Sequence, residues 1–118
     1  MTKKQQAEQT RQLATIKRAV ALHFGIPEKK LYSETREYEI AGPRMIAMYL
    51  CRVLTKASYP DIGHAFQKKH STIMHAHHTI AQRMATNALF ADSVFAAKKL
   101  AQSELRALKQ VEAGCAAS

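Results

Sequence analysis

The side chains best suited to chemistry in this chain follow one another at the start of a predicted helix. Lys68 and Lys69 are followed directly by His70, Ser71 and Thr72. Ammonium groups bind phosphates, whereas imidazole and hydroxyl groups exchange hydrogen bonds with the edges of bases. We expect Ser71 to cap this helix, because its hydroxyl can accept from an unpaired backbone N–H. The set indicates a surface that contacts a polyanion.

The helix that these residues open has two different faces. With residues spaced about 100° apart around the axis, Ile73 and Ile80 share an apolar side, and His75, His78 and Gln82 share the opposite side. An apolar back, a polar front and two preceding lysines suit a helix in the major groove of DNA. The alternative is an ordinary surface helix of a helical bundle, and this stretch alone is compatible with both.

A shorter helix is predicted just before the lysines. Pro60 lies in its opening turn, where a missing N–H costs nothing, and Ile62 and Phe66 form its apolar side. Gln67, Lys68 and Lys69 then interrupt the apolar pattern. A short helix, a tight polar break and a longer helix together predict a helix-turn-helix.

The six histidines also raise the question of a metal site. His75 and His78 could form a ligand pair on one helix face, with His64 or His70 as a further donor. No acidic or thiolate ligand stands beside them at a recognised spacing, so we expect no metal. We expect His77, near the apolar face, to lie at the edge of the core. The sequence does not bring together a pair of carboxylates, a Ser/His/Asp set or a Cys/His set. We therefore expect neither an enzyme nor a cofactor.

Net charge points to the class of partner. The 118 residues include 18 Lys plus Arg and 9 Asp plus Glu, for a formal charge of +9. Such a balance favours nucleic acid first and an anionic membrane surface second. No apolar run approaches the roughly 18 residues that span a bilayer, and the N-terminus lacks the apolar core of a signal peptide. Cys51 is predicted to be a buried thiol and Cys115 lies in the tail, which fits a reducing cytoplasm.

All predicted elements are helices. Their predicted positions are Arg11–Phe24 ending at Gly25, a short helix from Pro27, Pro43–Lys56, the two helices above, and a last helix capped by Asn87. Residues 33–42 are predicted to form a loop. We expect residues 1–10 to be a flexible N-terminus, residues 11–112 a single domain and residues 113–118 a flexible tail. The class is all-α, a bundle of about six helices that contains the helix-turn-helix.

The apolar stripe of the last helix is longer than a short bundle needs. It consists of Phe90, Val94, Ala97, Ala101, Leu105 and Leu108. Exposed apolar stripes are uncommon on monomers, so its last part is expected to be covered. Two explanations stand, a weak homodimer through this helix and folding back on the first helix.

Three segments resemble the C-terminal DNA-binding domain of the bacterial replication initiator DnaA. They are IAGPRMIAMYLCRVLT, SYPDIGHAF and HSTIMHA. The family reads approximately V-A-R-P-R-Q-I/M-A-M-Y-L, S-x-P-x-I-G-x-x-F and G-R-D-H-T-T-V-x-H-A at these places. The likeness extends from about Leu13 to about Ala101 in the same helix order. It implies a Trp-repressor-like helical bundle that binds short, asymmetric duplex sites in the bacterial nucleoid.

The resemblance also implies roles for particular residues. Arg44 matches an arginine that enters the minor groove, and Pro60 matches a proline near the DNA backbone. His70, Ser71 and Thr72 match the His-Thr-Thr that meets bases in the major groove. Arginine suits a narrow, electronegative minor groove, and short hydroxyls at a helix start can meet bases or phosphates.

The expected DNA-binding set also includes Lys68, Lys69, His75 and Arg36. The turn that holds the two lysines and the loop that holds Arg36 both depart from the family pattern. The family has Gly-Gly-Arg-Asp where this chain has only Gln67, Lys68 and Lys69, so the turn is one residue shorter and Lys69 replaces a base-reading aspartate. The loop before Pro43, usually basic, is acidic here apart from Arg36. The preferred DNA sequence is therefore expected to differ from the usual initiator site.

These observations predict sequence-specific binding of double-stranded DNA at DnaA-box-like sites, in transcription regulation or in the modulation of replication initiation. No G-x-x-x-x-G-K-S/T phosphate loop is present, so we expect no ATP binding. The alternative function, motivated by the acidic loop and the altered turn, is a protein-interaction adaptor. Such an adaptor would keep the fold and bind DNA only weakly and non-specifically.

Overall fold

The structure, a computed structural model, describes residues 2–32 and 38–117, and these are almost entirely helical. They form α1 (Lys3–Phe24), a 3-10 helix (Glu28–Tyr32), α2 (Tyr38–Leu54), α3 (Tyr59–Phe66), α4 (His70–Thr86) and α5 (Ala88–Ala117). The predicted all-α class is confirmed. Within the described ranges there are five α-helices rather than six, because the short helix after Pro27 is a single 3-10 element.

The first helix starts eight residues earlier than the sequence pattern predicted. Thr2 caps it at Lys3: the Gln5 N–H donates to the Thr2 hydroxyl, and the Thr2 N–H donates to the Gln5 side chain. This reciprocal capping box stabilises a polar first turn that has no apolar stripe. Residues 3–10, predicted to be a flexible N-terminus, are therefore helical. The predicted end at Gly25 is confirmed by its left-handed φ of 68°.

The second long helix also starts earlier than predicted. It begins at Tyr38 and continues through Pro43, which was expected to open it. A proline ring usually clashes with the Cβ of the residue before it in a helix, and Gly42 has no Cβ. The prediction of a loop over residues 33–42 is thus wrong for 38–42, and residues 33–37 lie outside the described part of the chain.

A single core joins the five helices. Its largest fully buried side chains are Phe66, Ile16, Leu31, Met48, Leu50, Ile62, Ile73, Val20, Val94 and Cys51. Burial raises the pKa of the Cys51 thiol to about 12, although the charge of Lys17 opposes this rise. The predicted burial of Cys51 is confirmed, whereas the side chain of Cys115 lies outside the described set.

The long α5 packs back along α1. Phe90 N–H donates to the side chain of Asn87, which confirms the predicted cap. Further along, Leu105 packs against the core, and Arg11 forms a 2.8 Å ion pair with Glu112. Leu105 in the extension of the apolar stripe is therefore packed as the second explanation expected, Leu108 is half-buried, and the weak homodimer stays a prediction. Across the described ranges, no helix is both long and apolar enough to cross a membrane.

Candidate nucleic-acid interface

The helix α3 is fixed at its start by a capping box. The Asp61 N–H donates to the Ser58 hydroxyl at 3.2 Å, and the Ser58 N–H donates to the Asp61 carboxylate at 3.3 Å. Pro60 is exposed in the first turn, where its missing N–H leaves no bond unmade. Ile62 and Phe66 turn inward and are fully buried. The predicted short helix is confirmed, with its proline on the surface.

The turn between α3 and α4 is closed by two backbone hydrogen bonds. Gln67 N–H donates to the carbonyl of His64, and Lys68 N–H donates to that of Gly63 at 2.8 Å. Gln67 adopts a left-handed backbone with φ 57°. This is a Schellman motif, in which glycine usually takes the left-handed position. The three-residue break predicted from the sequence is thus a rigid helix end followed directly by a new helix.

Gly63 allows this turn to lie against α3. A Cβ at this position would meet the backbone oxygen of Lys68 at 2.6 Å and the backbone nitrogen of His70 at 3.3 Å. Contacts under 3.0 Å are essentially never seen for real Cβ atoms. His70, the first residue of α4, can lie this close to α3 only because Gly63 has no side chain.

The helix α4 begins two residues earlier than the predicted cap at Ser71 requires. Lys69, not Ser71, is the N-cap residue, and its side chain makes no capping hydrogen bond. The Lys69 carbonyl accepts from the N–H of Thr72 at 3.0 Å. Ser71 lies inside the first turn instead, because the Schellman turn fixes the helix start upstream of it. In the first turn of α4, no side chain caps the backbone N–H groups and no acidic residue offsets the positive end of the helix dipole.

The two predicted faces of α4 are both present. Ile73 and Ile80 are buried, and His75, His78 and Gln82 are exposed. His70, Ser71 and Thr72 are also exposed at the helix start. The structure therefore brings the predicted hydrogen-bonding side chains to one open surface at the start and front of α4.

An open depression lies beside the start of α4. It is lined by Gly63, His64, Gln67, Lys68, Lys69 and Thr72. Two of these side chains are lysines and one is an imidazole, and none of the six carries a carboxylate. Together with the helix dipole, the lysines make this end of α4 attractive to an anion. We call this surface, residues 67–72 with His64, the α4 entry face.

His77 sits at the edge of the core, as predicted, and links α4 to two other helices. Its Nδ1 shares a 2.8 Å hydrogen bond with the Tyr59 hydroxyl, and its ring lies 5.6 Å from that of Tyr49. Burial lowers the pKa of His77 below its ordinary value, and the neighbouring His78 and Arg52 lower it further. The neutral imidazole is therefore the form that the fold prefers.

Comparison with known proteins assigns this helix-turn-helix to a family. The family model for the bacterial DnaA protein helix-turn-helix matches residues 3–80, which is more than half of the chain. This chain belongs to the bacterial DnaA helix-turn-helix family. The resemblance noted in the sequence is thereby confirmed.

Individual relatives agree with the DnaA assignment. The chromosomal replication initiator protein DnaA of Geobacter sp. (strain M21) is 46% identical over 90 residues, 74% of this chain and 20% of the relative. That of Latilactobacillus sakei subsp. sakei (strain 23K) is 38% identical over 92 residues, 77% of this chain and 20% of the relative. A crystal structure of a DNA replication initiation factor aligns with TM-score 0.78 and 27% identity, over 86% of this chain and 32% of that one. The chain spans about a fifth of the length of these DnaA relatives.

The remaining residues expected to contact DNA are Arg44, Pro60 and Arg36. Arg44 is half-buried on α2, one residue after the proline in that helix. Pro60 is exposed on α3. Arg36 lies outside the described residues, so its expected role stays a prediction. The structure thus places Pro60 and the α4 entry face on consecutive helices and Arg44 on a third.

Arg52 is a candidate that the sequence analysis of this DnaA-type domain did not single out. Its guanidinium carbon lies 5.1 Å from the centre of the Tyr59 ring, directly before Pro60 in the chain. Its Nε is buried and has no hydrogen-bond partner among the described residues. A lone cation in the last turn of an apolar helix, followed by Ser-Tyr-Pro, was the available signal. The described residues hold no group of three or more His, Cys, Asp or Glu that could bind a metal.

Proposed function

We propose that this chain binds double-stranded DNA, with the start of α4 in the major groove. The observation that carries the proposal is the α4 entry face: an exposed His-Ser-Thr run directly after two lysines, at a helix start with no side-chain cap. A family helix-turn-helix supplies the frame, and a formal charge of +9 suits a polyanion. The names of the relatives, replication initiator proteins, support DNA as the partner.

Base recognition is assigned to the exposed groups of α4. The hydroxyls of Ser71 and Thr72 and the imidazole of His70 stand in its first turn, and His75 stands one turn further on the same side. Hydroxyl and imidazole groups can both donate to and accept from base edges. His75 Nε2 lies 3.5 Å from the Thr79 hydroxyl, so this imidazole already has a polar neighbour on the helix surface.

Phosphate binding is assigned to the cations around these groups. Lys68 and Lys69 directly precede the α4 start. We add Arg52, whose guanidinium lies over the ring of Tyr59, the first residue of α3. Cations and helix N-termini that bind phosphates fix the register of a protein on the duplex but do not read its sequence. Arg44 is proposed to enter the minor groove, a position that rests on the family resemblance, and Arg36 is proposed to assist it.

The proposed target is a DnaA-box-like site with an altered half. Lys69 stands where the family places an aspartate that can accept from cytosine N4, and an ammonium cannot accept a hydrogen bond. We propose that the chain acts as a regulator of transcription or a modulator of replication initiation. The proposal concerns a DNA-binding module without ATPase chemistry, because these 118 residues contain no phosphate loop.

Fluorescence anisotropy tests the proposal. The chain is titrated with a duplex that carries an initiator box and with a scrambled duplex of equal composition, at one salt concentration. Ser71→Ala is expected to narrow the difference between the two affinities. Thr86→Ala, at the far end of α4, is the matched control and is expected to preserve it. Equal affinity of the wild-type chain for all duplexes, including pools of random sequence, would contradict sequence-specific binding and favour the adaptor.

A further inference from the structure

Lys17 is a buried lysine that contacts the helix-turn-helix from outside it. It lies on α1 with only 6% of its surface exposed. Its Nζ donates to the Tyr32 hydroxyl at 2.6 Å and to the Ala65 carbonyl at 2.9 Å. The same atom lies 4.6 Å from the centre of the Tyr32 ring and 5.4 Å from that of Phe66. One side chain thus joins α1, the 3-10 helix and the last turn of α3.

The bond to Ala65 completes the end of α3. The last carbonyls of a helix have no partner within the helix. In α3 the carbonyls of Gly63 and His64 accept from the turn, through the N–H groups of Lys68 and Gln67. Lys17 supplies the donor for the carbonyl of Ala65. A cation at this end is also favoured by the helix dipole.

The turn that follows α3 contains one residue in an unfavourable backbone conformation, and the bond from Lys17 to the Ala65 carbonyl holds the helix end directly before it. Gln67 occupies a left-handed backbone position, at φ 57°, where a Cβ is unfavourable. The family pattern has glycine at the start of this turn and one more residue in it. A turn that is shorter and begins with a glutamine needs a firmly held helix end before it.

We propose that Lys17 is a positioning residue for DNA selectivity: by holding the Ala65 carbonyl, it fixes the turn and so the orientation of the α4 entry face. The inference rests on the proposed function of that face in DNA binding. Lys17 itself is buried and is not assigned any contact with DNA. Its loss is expected to weaken discrimination between duplexes more than affinity for DNA in general.

The test combines a DNA-free and a DNA-dependent measurement on the full chain. In Lys17→Met, which keeps the apolar stem, amide hydrogen exchange at Gln67 and Lys68 is expected to speed up while that at Ala91 in α5 is unchanged. The ratio of affinities for selected and random duplexes is expected to fall roughly tenfold, equivalent to about 1.4 kcal/mol. If Lys17→Met fails to fold, Lys17→Gln, which keeps a shorter, neutral donor, carries the same comparison with a smaller expected effect.

Two further variants separate positioning from general stability. Tyr32→Phe removes one partner of Lys17 and leaves the bond to Ala65, so selectivity is expected to hold. Adding Gln67→Gly to Lys17→Met relieves the left-handed strain and is expected to restore selectivity. Uniformly faster exchange, or faster exchange at the turn with unchanged selectivity, would overturn the proposal. If the wild-type chain selects no site, the proposed function fails and the selectivity role fails with it, while exchange at the turn still decides whether Lys17 holds the helix end.

Discussion

Replacing Gly63 with alanine is expected to displace the start of α4. The added Cβ would lie 2.6 Å from the Lys68 oxygen, 3.3 Å from the Lys69 carbonyl carbon and 3.3 Å from the His70 nitrogen. All three are backbone atoms of a hydrogen-bonded turn, which cannot move aside as a flexible side chain can. Overpacking of this kind costs about 1–3 kcal/mol. Alanine recovers about 1 kcal/mol through its higher helix propensity.

The expected net loss of stability for Gly63→Ala is therefore up to about 2 kcal/mol. Each kcal/mol lost lowers Tm by roughly 4–8 °C. Thermal unfolding followed by circular dichroism measures this loss, and anisotropy measures DNA selectivity, which is expected to fall. Gly25→Ala is the matched control. It has a similar cost, because φ is 68°, but it has nothing within 4 Å and lies at the end of α1. A Gly63→Ala chain as stable and as selective as wild type would refute the close approach of the turn to α3.

Three further predictions follow from the same structure. Arg44→Ala and Thr72→Ala should each cost roughly 1–3 kcal/mol on a preferred duplex and less on a random one, measured by anisotropy at fixed salt; equal losses would argue against base contacts. Lys68→Ala and Lys69→Ala should each flatten the plot of log affinity against log salt by roughly 0.9 per lost phosphate contact, whereas Lys99→Ala on α5 should not. Because the pKa of His77 is lowered by folding, the unfolded chain binds its proton more readily. Stability should therefore be steady above the ordinary histidine pKa and decline as pH falls below it, and denaturant titrations should show a smaller decline for His77→Gln.

Much of the helical frame could be predicted because its signals are local. The left-handed Gly25, the Asn87 cap and the proline in the first turn of α3 each have a residue preference that follows from backbone geometry. Apolar periodicity was enough to assign the inward and outward faces of α4. Cys51 was placed correctly in the core for the same reason.

The misplaced boundaries share a different physical cause. The start of α1 depends on a capping box at Thr2 in a segment with no apolar stripe, so periodicity could not detect it. The helix α2 continues through Pro43, where Gly42 has no Cβ to clash with the proline ring. The cap at Lys69 depends on the turn before it rather than on the hydroxyl of Ser71. In each case a neighbouring residue overrode the preference of the residue that the prediction used.

Contacts between segments that are distant in the chain could not be predicted from the apolar pattern of single helices. Lys17 lies four residues after Leu13 and three before Val20, so it stands on the edge of the apolar stripe of α1. A lysine there is normally expected to reach solvent along the helix surface. Only the packing of Tyr32 and Ala65 beside it shows that its amine is buried and hydrogen-bonded. Arg52 and its stacking on Tyr59 were missed for the same reason.

Selection from a pool of random duplexes tests the central claim most directly, that the α4 entry face reads DNA with an altered preference. The wild-type chain is predicted to enrich one asymmetric site that keeps the A·T-rich half of an initiator box, through Arg44, and differs in the half read by the start of α4. Lys69→Asp is predicted to shift that half partway towards the initiator box, because a carboxylate can accept from cytosine N4. Enrichment of the unaltered initiator box by the wild-type chain would show that Lys69 points away from the bases, and enrichment of no site at all would contradict sequence-specific binding.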